Sequence, residues 1–290
     1  MMKKMIVCVL AAMMLFSFAA CGAKTAESET TDETAAVASG VEDGVLTVAM
    51  ECAYAPYNWT QADDSNGAVA IKDSNEFANG YDVMMAKKLC EANGWELEIV
   101  RLDWDSLIPA VQTGQIDAVI AGQSMTPDRA EQVDFAGPYL YATIVCVTLN
   151  NSAYASAKGI SELAGATCTS QLGTIWYDTC LPQITDADIQ PASETAPAML
   201  MALETGTVDF VCTDMPTAQG AVSVYPDMVI LDFAGSGDDF AVEDSDVNIG
   251  ISVMKGNTVL KDALNSVLST MTADDFNALM AQAIAIQPIG

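Results

Sequence analysis

The chain contains no histidine. That absence excludes Ser-His-Asp triads, imidazole-activated thiols and His-ligated zinc. Cations are scarce too: 11 Lys and Arg stand against 39 Asp and Glu, for a net charge of −28. Nucleic-acid backbones are gripped by clustered cations, so nucleic-acid partners are excluded, and anionic lipid surfaces repel the chain. No CxxC or other metal spacing occurs among the 8 cysteines, which argues against zinc and iron–sulfur centres. No metal and no cofactor is expected. The N-terminal apolar stretch Met5–Ala20 has 16 residues, short of the roughly 20 that a helix needs to span a bilayer. What remains is 290 residues, 51% hydrophobic and 17% charged, enough for one or two domains with a sizeable core.

Lys3 and Lys4 precede the apolar stretch, which closes on Phe18-Ala19-Ala20-Cys21. This resembles the lipobox of bacterial lipoproteins, which implies a signal peptide over 1–20, cleavage before Cys21 and lipidation of that thiol. An uncleaved anchor with a chance cysteine is the competing reading. Cleavage would remove two cations and no acid, leaving −30. Residues 21–43 are rich in Ala, Thr, Glu and Ser, and read as a flexible tether. The chain is then exported and held on the outer face of the cell membrane, or is periplasmic. Beyond Cys8 and Cys21 there remain Cys52, Cys90, Cys146, Cys168, Cys180 and Cys212. Three of these sit in apolar or β-branched runs, where a thiol behaves as a small hydrophobe. An oxidising compartment permits disulfides, yet the sequence selects no pairing. Buried free thiols are the expectation.

From residue 44 strand-like and helix-like segments alternate. Strands are expected at Val45–Met50, Glu96–Val100, Ile116–Ala121, Ala164–Ser170 and Val208–Thr213. Helices are expected at Asp82–Asn93, stopped by Gly94, at Leu107–Thr113 with Asp105 as N-cap, from Trp176, and at Pro197–Glu204. The alternation argues for parallel sheets of the α/β class. "PAVQTGQIDAVIAG" (109–122) is echoed by "MLMALETGTVDFVCT" (199–213): apolar helix, Thr-Gly turn, Asp, buried strand. Two lobes of similar construction would produce that echo.

Five segments in order carry a family resemblance: "AYAPYNW" (53–59), "GYDVMMAKKL" (80–89), "DWDSLIPAVQTGQIDAVIAGQSMTPDRAEQVDFAGPY" (103–139), "QLGT" (171–174) and "NIGISVMKGN" (248–257). Together they resemble the family-3 extracellular solute-binding proteins, the amino-acid-binding components of ABC importers. The resemblance implies a two-lobed type II periplasmic-binding-protein fold that closes over its ligand by hinge motion. It implies lobe 1 from 44–139 plus 249–290, lobe 2 from 140–248, and two crossing strands near Tyr139–Thr143 and Asn248–Ser252. The expected partners are an L-amino acid and a membrane ABC permease, and the protein is expected to be a monomer and not an enzyme.

The same resemblance places the site. Arg129 is one of two arginines, and its planar fork matches a carboxylate as ammonium cannot; an ion pair with Glu131 or Asp134 is the plainer alternative. Gly122 and Ser124 lie in the stretch that contacts the bound amino acid, and Gln123 departs from the usual apolar residue. Thr174 and Ile175 would donate backbone N–H groups at a helix start. Asp214 matches the acid that pairs with the ligand ammonium, against an ordinary N-cap. Glu51 matches an acid facing the ligand, against a solvated edge. Tyr54 and Trp104 correspond to the aromatic pair enclosing the side chain, with Tyr57 and Trp59 nearby. A dehydratase like cyclohexadienyl dehydratase, or an amino-acid sensor, uses the same fold and is the alternative. Residues 143–247 hold Lys158 as their sole cation against fifteen acids. A second ligand carboxylate finds no obvious partner there, so a neutral polar or basic amino acid is expected.

Overall fold

The computed structural model describes residues 37–288. The expected signal peptide, the Cys21 lipidation site and the tether up to residue 36 lie outside them. Two five-stranded sheets form the body. The first runs, in spatial order, Glu96–Arg101, Val45–Met50, Ala118–Val119, Asn248–Met254 and Val133–Tyr141. The second runs Asp188–Ile189, Thr167–Thr169, Phe210–Asp214, Ile144–Leu149 and Met228–Leu231. In each sheet four strands run parallel and only the fourth, Asn248–Met254 in the first and Ile144–Leu149 in the second, runs antiparallel to its neighbours. The sheets are therefore mixed, where alternation alone predicted parallel ones. The reversed strand in each sheet is the one by which the chain enters that sheet from the other.

The echoed segments explain why the two sheets share a plan. Helices Trp104–Gln112 and Ala196–Glu204 both end in a Thr-Gly turn with glycine at positive φ, +71° at Gly114 and +69° at Gly206. Thr113 Oγ1 donates to the Pro109 carbonyl at 3.0 Å, and Thr205 Oγ1 to the Met201 carbonyl at 2.8 Å. The following Asp then locks the next strand to the second strand of its sheet. Asp117 Oδ2 accepts from Thr47 N, and Asp209 Oδ2 from Thr167 N, each at 2.8 Å. One local sequence builds one unit twice.

Val133–Tyr141 ends beside the start of Asn248–Met254, with Tyr141 and Asn248 as register partners, and Ile144 opens the second sheet. Both crossings thus lie side by side, which suits a hinge. The fold is two-lobed, with a four-stranded sheet (Ala53–Tyr54, Asn58–Gln61, Val69–Ala70, Phe77–Asn79) added to the first lobe. Helices Thr258–Leu268 and Ala273–Ile286 close the chain, the latter opened by a capping box between Thr272 and Asp275.

Several boundaries differ from expectation. Helix Trp104–Gln112 begins earlier, with Asp103 at the N-cap, so Asp105 lies inside the first turn rather than capping it. Trp176–Cys180 is a single π-helical turn. The expected tether ran to residue 43, yet residues 37–43 are seated on the first lobe. Ser39 is buried, its carbonyl accepts from Asn257 Nδ2 at 2.9 Å, and Glu42 accepts from the Ser39 and Gly40 N–H groups. Backbone groups with partners hold a segment that composition alone marks as loose. All six cysteines of the fold are free and buried.

Candidate functional site

After strand Val45–Met50 the chain turns sharply through Cys52, whose φ of +56° is costly for a residue with a side chain. Asn58 holds this bend: its Oδ1 accepts from Cys52 N at 2.7 Å, while its Nδ2 donates to the buried Asp82 at 2.7 Å. The bend aims Tyr54 and Tyr57 at the second lobe. Their rings stack at 4.8 Å between centroids. Tyr57 donates to Asp214 Oδ2 at 2.6 Å, and Thr217 Oγ1 donates to Tyr54 Oη at 3.1 Å. Asp214 is also the N-cap of helix Met215–Val224, accepting from Thr217 N at 2.9 Å. The cap and the cleft-facing acid are the same carboxylate: one oxygen serves each role. Burial pushes its pKa up, against the lowering pull of Thr217 and Tyr57.

Arg129 sits in the short helix Pro127–Gln132, capped by Thr126. It does not pair with Glu131 or Asp134; among the described residues Asp134 pairs with Lys255 at 3.2 Å. Its guanidinium crosses the seam between the lobes. Nη1 donates to the Ser124 carbonyl at 2.9 Å and Nη2 to the Gly173 carbonyl at 3.0 Å, one oxygen from each lobe. The guanidinium carbon lies 5.3 Å from the centre of the Trp104 ring. Burial pulls its pKa down to about 10, so it stays charged at neutral pH. Around it, Tyr54, Trp104, Gly122, Ser124, Thr174 and Ile175 line a space of only about 10 Å³, together with Gln171 and Trp176. Six sequence-expected residues thus meet around the seventh. Gly122 is required there: at φ +66° a Cβ would stand 2.9 Å from the Tyr54 ring.

Glu51 is buried rather than a solvated edge residue. It opens instead into a neighbouring cavity of about 340 Å³ between the lobes, whose lining includes Trp104, Asp103, Asp105 and Glu194. Burial pushes Glu51 up to about 7; the Gln171 amide at 3.4 Å opposes the shift, and Asp103 and Asp105 add to it. Glu51 and Asp214 therefore face different parts of the seam.

The expected aromatic pair is altered: Tyr54 has Tyr57 against its face, and the Trp104 face is taken by Arg129. Trp59 is buried in the added sheet. Gln123, left open by the sequence, points away from the site, accepting from Ser252 Oγ on the return strand at 3.0 Å. Tyr57, Gln171, Trp176 and Thr217 are site residues that sequence reasoning did not select. So is the buried chain behind Gly122: Gly122 N donates to Tyr139 Oη at 3.0 Å, which donates to Asp82 Oδ1 at 2.6 Å. An Asp at a helix start and a Tyr in a strand carry no signal of that pairing, 57 residues apart.

Two lobes joined by paired crossings thus set a guanidinium fork and a buried acid across one seam. The chain belongs to the bacterial extracellular solute-binding proteins, family 3, whose pattern it matches over residues 46–284. It is 31% identical over 174 residues, 60% of its length, to the arginine-binding extracellular protein ArtP of Bacillus subtilis. It is 31% identical over 150 residues, 52% of its length, to a probable histidine-binding protein of Campylobacter jejuni. The chain spans 58% and 57% of those relatives' own lengths. Its fold matches that of an amino-acid ABC-transporter substrate-binding protein from Streptococcus pneumoniae, solved with L-arginine. That match has a TM-score of 0.72 and 24% identity, over 86% of this chain and 98% of the other.

Proposed function

We propose that this protein captures an L-amino acid with a basic side chain between its lobes and delivers it to an ABC permease. The observation that carries the reading is the Arg129 fork. Its two donors reach one carbonyl oxygen from each lobe, at 2.9 and 3.0 Å, the arrangement a ligand carboxylate would take over. Asp214, buried and facing Tyr57, supplies the charge for the α-ammonium. Glu51 and the acid-lined cavity beside Trp104 then receive a cationic side chain, its stem lying along the indole. The relatives described above bear arginine and histidine in their names, in keeping with this choice. A neutral polar ligand satisfies Arg129 and Asp214 equally but leaves the cavity's acids without a counter-charge.

Lipidation at Cys21 would keep the binding protein at the membrane beside its permease. Catalysis is the weaker reading. An acid–base pair must act on one substrate atom, whereas Glu51 and Asp214 open onto different parts of the seam, and a clamp for a zwitterion accounts for both. A thermal-shift screen of the soluble domain against the twenty amino acids tests the reading, since a ligand bound only to the folded form raises Tm. Arginine or lysine should give the largest shifts. Shifts confined to glutamate or aspartate would overturn it, and turnover of prephenate or arogenate would move the protein to the enzymes. Lipidation is tested apart, by loss of metabolic lipid labelling in Cys21→Ser.

A further inference from the structure

Spacing selects no pairing among the cysteines of the fold, but strand register does. Cys146 and Cys212 are direct partners across the antiparallel strands Ile144–Leu149 and Phe210–Asp214. Direct opposition sets Cα atoms roughly 4.5–5.5 Å apart, within the roughly 4.4–6.8 Å that disulfides span. Both side chains leave the sheet on one face, as cross-strand partners do. Cys180, in the turn Trp176–Cys180, is the second thiol neighbour of Cys212. Cys168 shares the face as well, since its register partner is Phe210, two residues from Cys212. All four are fully buried in the second lobe, whereas Cys52 and Cys90 lie in the first. Among the described residues no cysteine, histidine or acid group is arranged to hold a metal. The cluster offers thiol chemistry instead.

We infer that Cys146 and Cys212 are a redox-convertible pair that closes into a disulfide by exchange with a small-molecule disulfide outside the cytoplasm. The Cys212 thiolate attacks one sulfur of the oxidant and releases a first small thiol. The Cys146 thiolate then displaces the second small thiol and leaves the protein S–S bond. The two protein thiols lose two protons and two electrons, and the oxidant's S–S bond is reduced to two thiols. In the folded chain burial drives the Cys212 thiol far above its ordinary pKa, where thiolate is scarce. The exchange therefore belongs to folding after export, before this sheet face is covered, and the same cover afterwards shields the bond. The bond would join the strand that leaves the hinge to the strand that presents Asp214, two residues beyond Cys212. This inference rests on export, which family membership supplies, and not on the ligand reading.

The test is to refold reduced, denatured full-length chain in a mixture of oxidised and reduced glutathione. The product is then denatured, alkylated and digested without reductant. We expect a peptide carrying Cys146 joined to one carrying Cys212, two hydrogens lighter than the separate peptides, absent in Cys146→Ala and retained in Cys180→Ala. The urea midpoint of the oxidised protein should drop when reductant is added, because the bond restrains a long loop of the unfolded chain. Alkyl label on both Cys146 and Cys212 after oxidative refolding would overturn the inference. Linkage of Cys212 to Cys180 or Cys168 would do the same. Should Cys146→Ala fail to fold, the wild-type peptide map decides alone.

Discussion

In the first lobe the strand after the helix–turn–Asp unit runs out into Gly122, beneath two tyrosine rings; in the second it ends on Asp214, which caps a helix. The two units share their turn, their glycine and the carboxylate that locks them to the neighbouring strand. They differ at the point where each meets the seam. The first lobe contributes Arg129, the aromatic rings and Glu51; the second contributes Asp214, Gln171, and the carbonyl and hydroxyl groups of 173–174. In the function proposed above, neither lobe alone meets both ends of the ligand. A bridging ligand would then gain its full set of contacts only when the lobes shut, coupling recognition to closure.

The largest effect should come from removing what only the first lobe supplies. Arg129→Lys keeps the charge and loses the fork, so calorimetry should show affinity for the best ligand falling ~10- to 100-fold, the cost of one or two charge-assisted hydrogen bonds. Unchanged affinity would take Arg129 out of the site. Asp214→Asn tests the second lobe's contribution. Asn still caps the helix, so the fold should stand while affinity drops by about 10-fold, one charge-assisted bond. If both variants bind like wild type, the division of labour between lobes is wrong.

Glu51→Gln should sort ligands by charge: arginine and lysine weaken by roughly 10-fold, while glutamine is unaffected. Because Glu51 is pushed up to about 7, wild-type affinity for a cationic ligand should rise with pH through that region, and Glu51→Gln should flatten the rise. Equal losses for charged and neutral ligands would place Glu51 away from the side chain.

A linked expectation concerns stability without ligand. Burial raises Glu51 to about 7 and Asp82 to about 6, against 4.5 and 3.8 ordinarily. Between those values the folded chain holds protons that the unfolded chain has released, so stability falls as pH rises from about 4 to about 7. Glu51→Gln should make the decline shallower; an unchanged urea-midpoint profile would contradict the burial of that carboxyl. The smallest effect is expected from Tyr57→Phe, which removes one cross-seam bond to Asp214 and should alter affinity by only a few-fold, since a net hydrogen bond contributes about 1 kcal/mol.

Much of this was legible locally. The Thr-Gly turns and the Asp that follows each of them are short-range chemistry, readable from fourteen residues in a row. Gly94 is legible for the same reason: only a residue free of Cβ strain ends a helix at φ +72°. Arg129 stood out because so few cations surround it. Less legible was anything set by distant partners. The ordering of 37–43 depends on Asn257, Gln123 turns towards Ser252, and Trp104 faces Arg129 instead of Tyr54.

The sequence by itself determined the repeated αβ unit, the acidic and imidazole-free chemistry, and the residue types suited to a zwitterion, because these follow from composition and from neighbours within a few positions. Tertiary structure alone decided that the sheets are mixed and that Asp214 serves cap and cleft at once. It also decided that Glu51 opens onto an acid-lined cavity and that Cys146 faces Cys212. Each of those outcomes depends on which strand lies beside which and on how the two lobes meet, and contacts between residues far apart in the chain leave no local pattern to read.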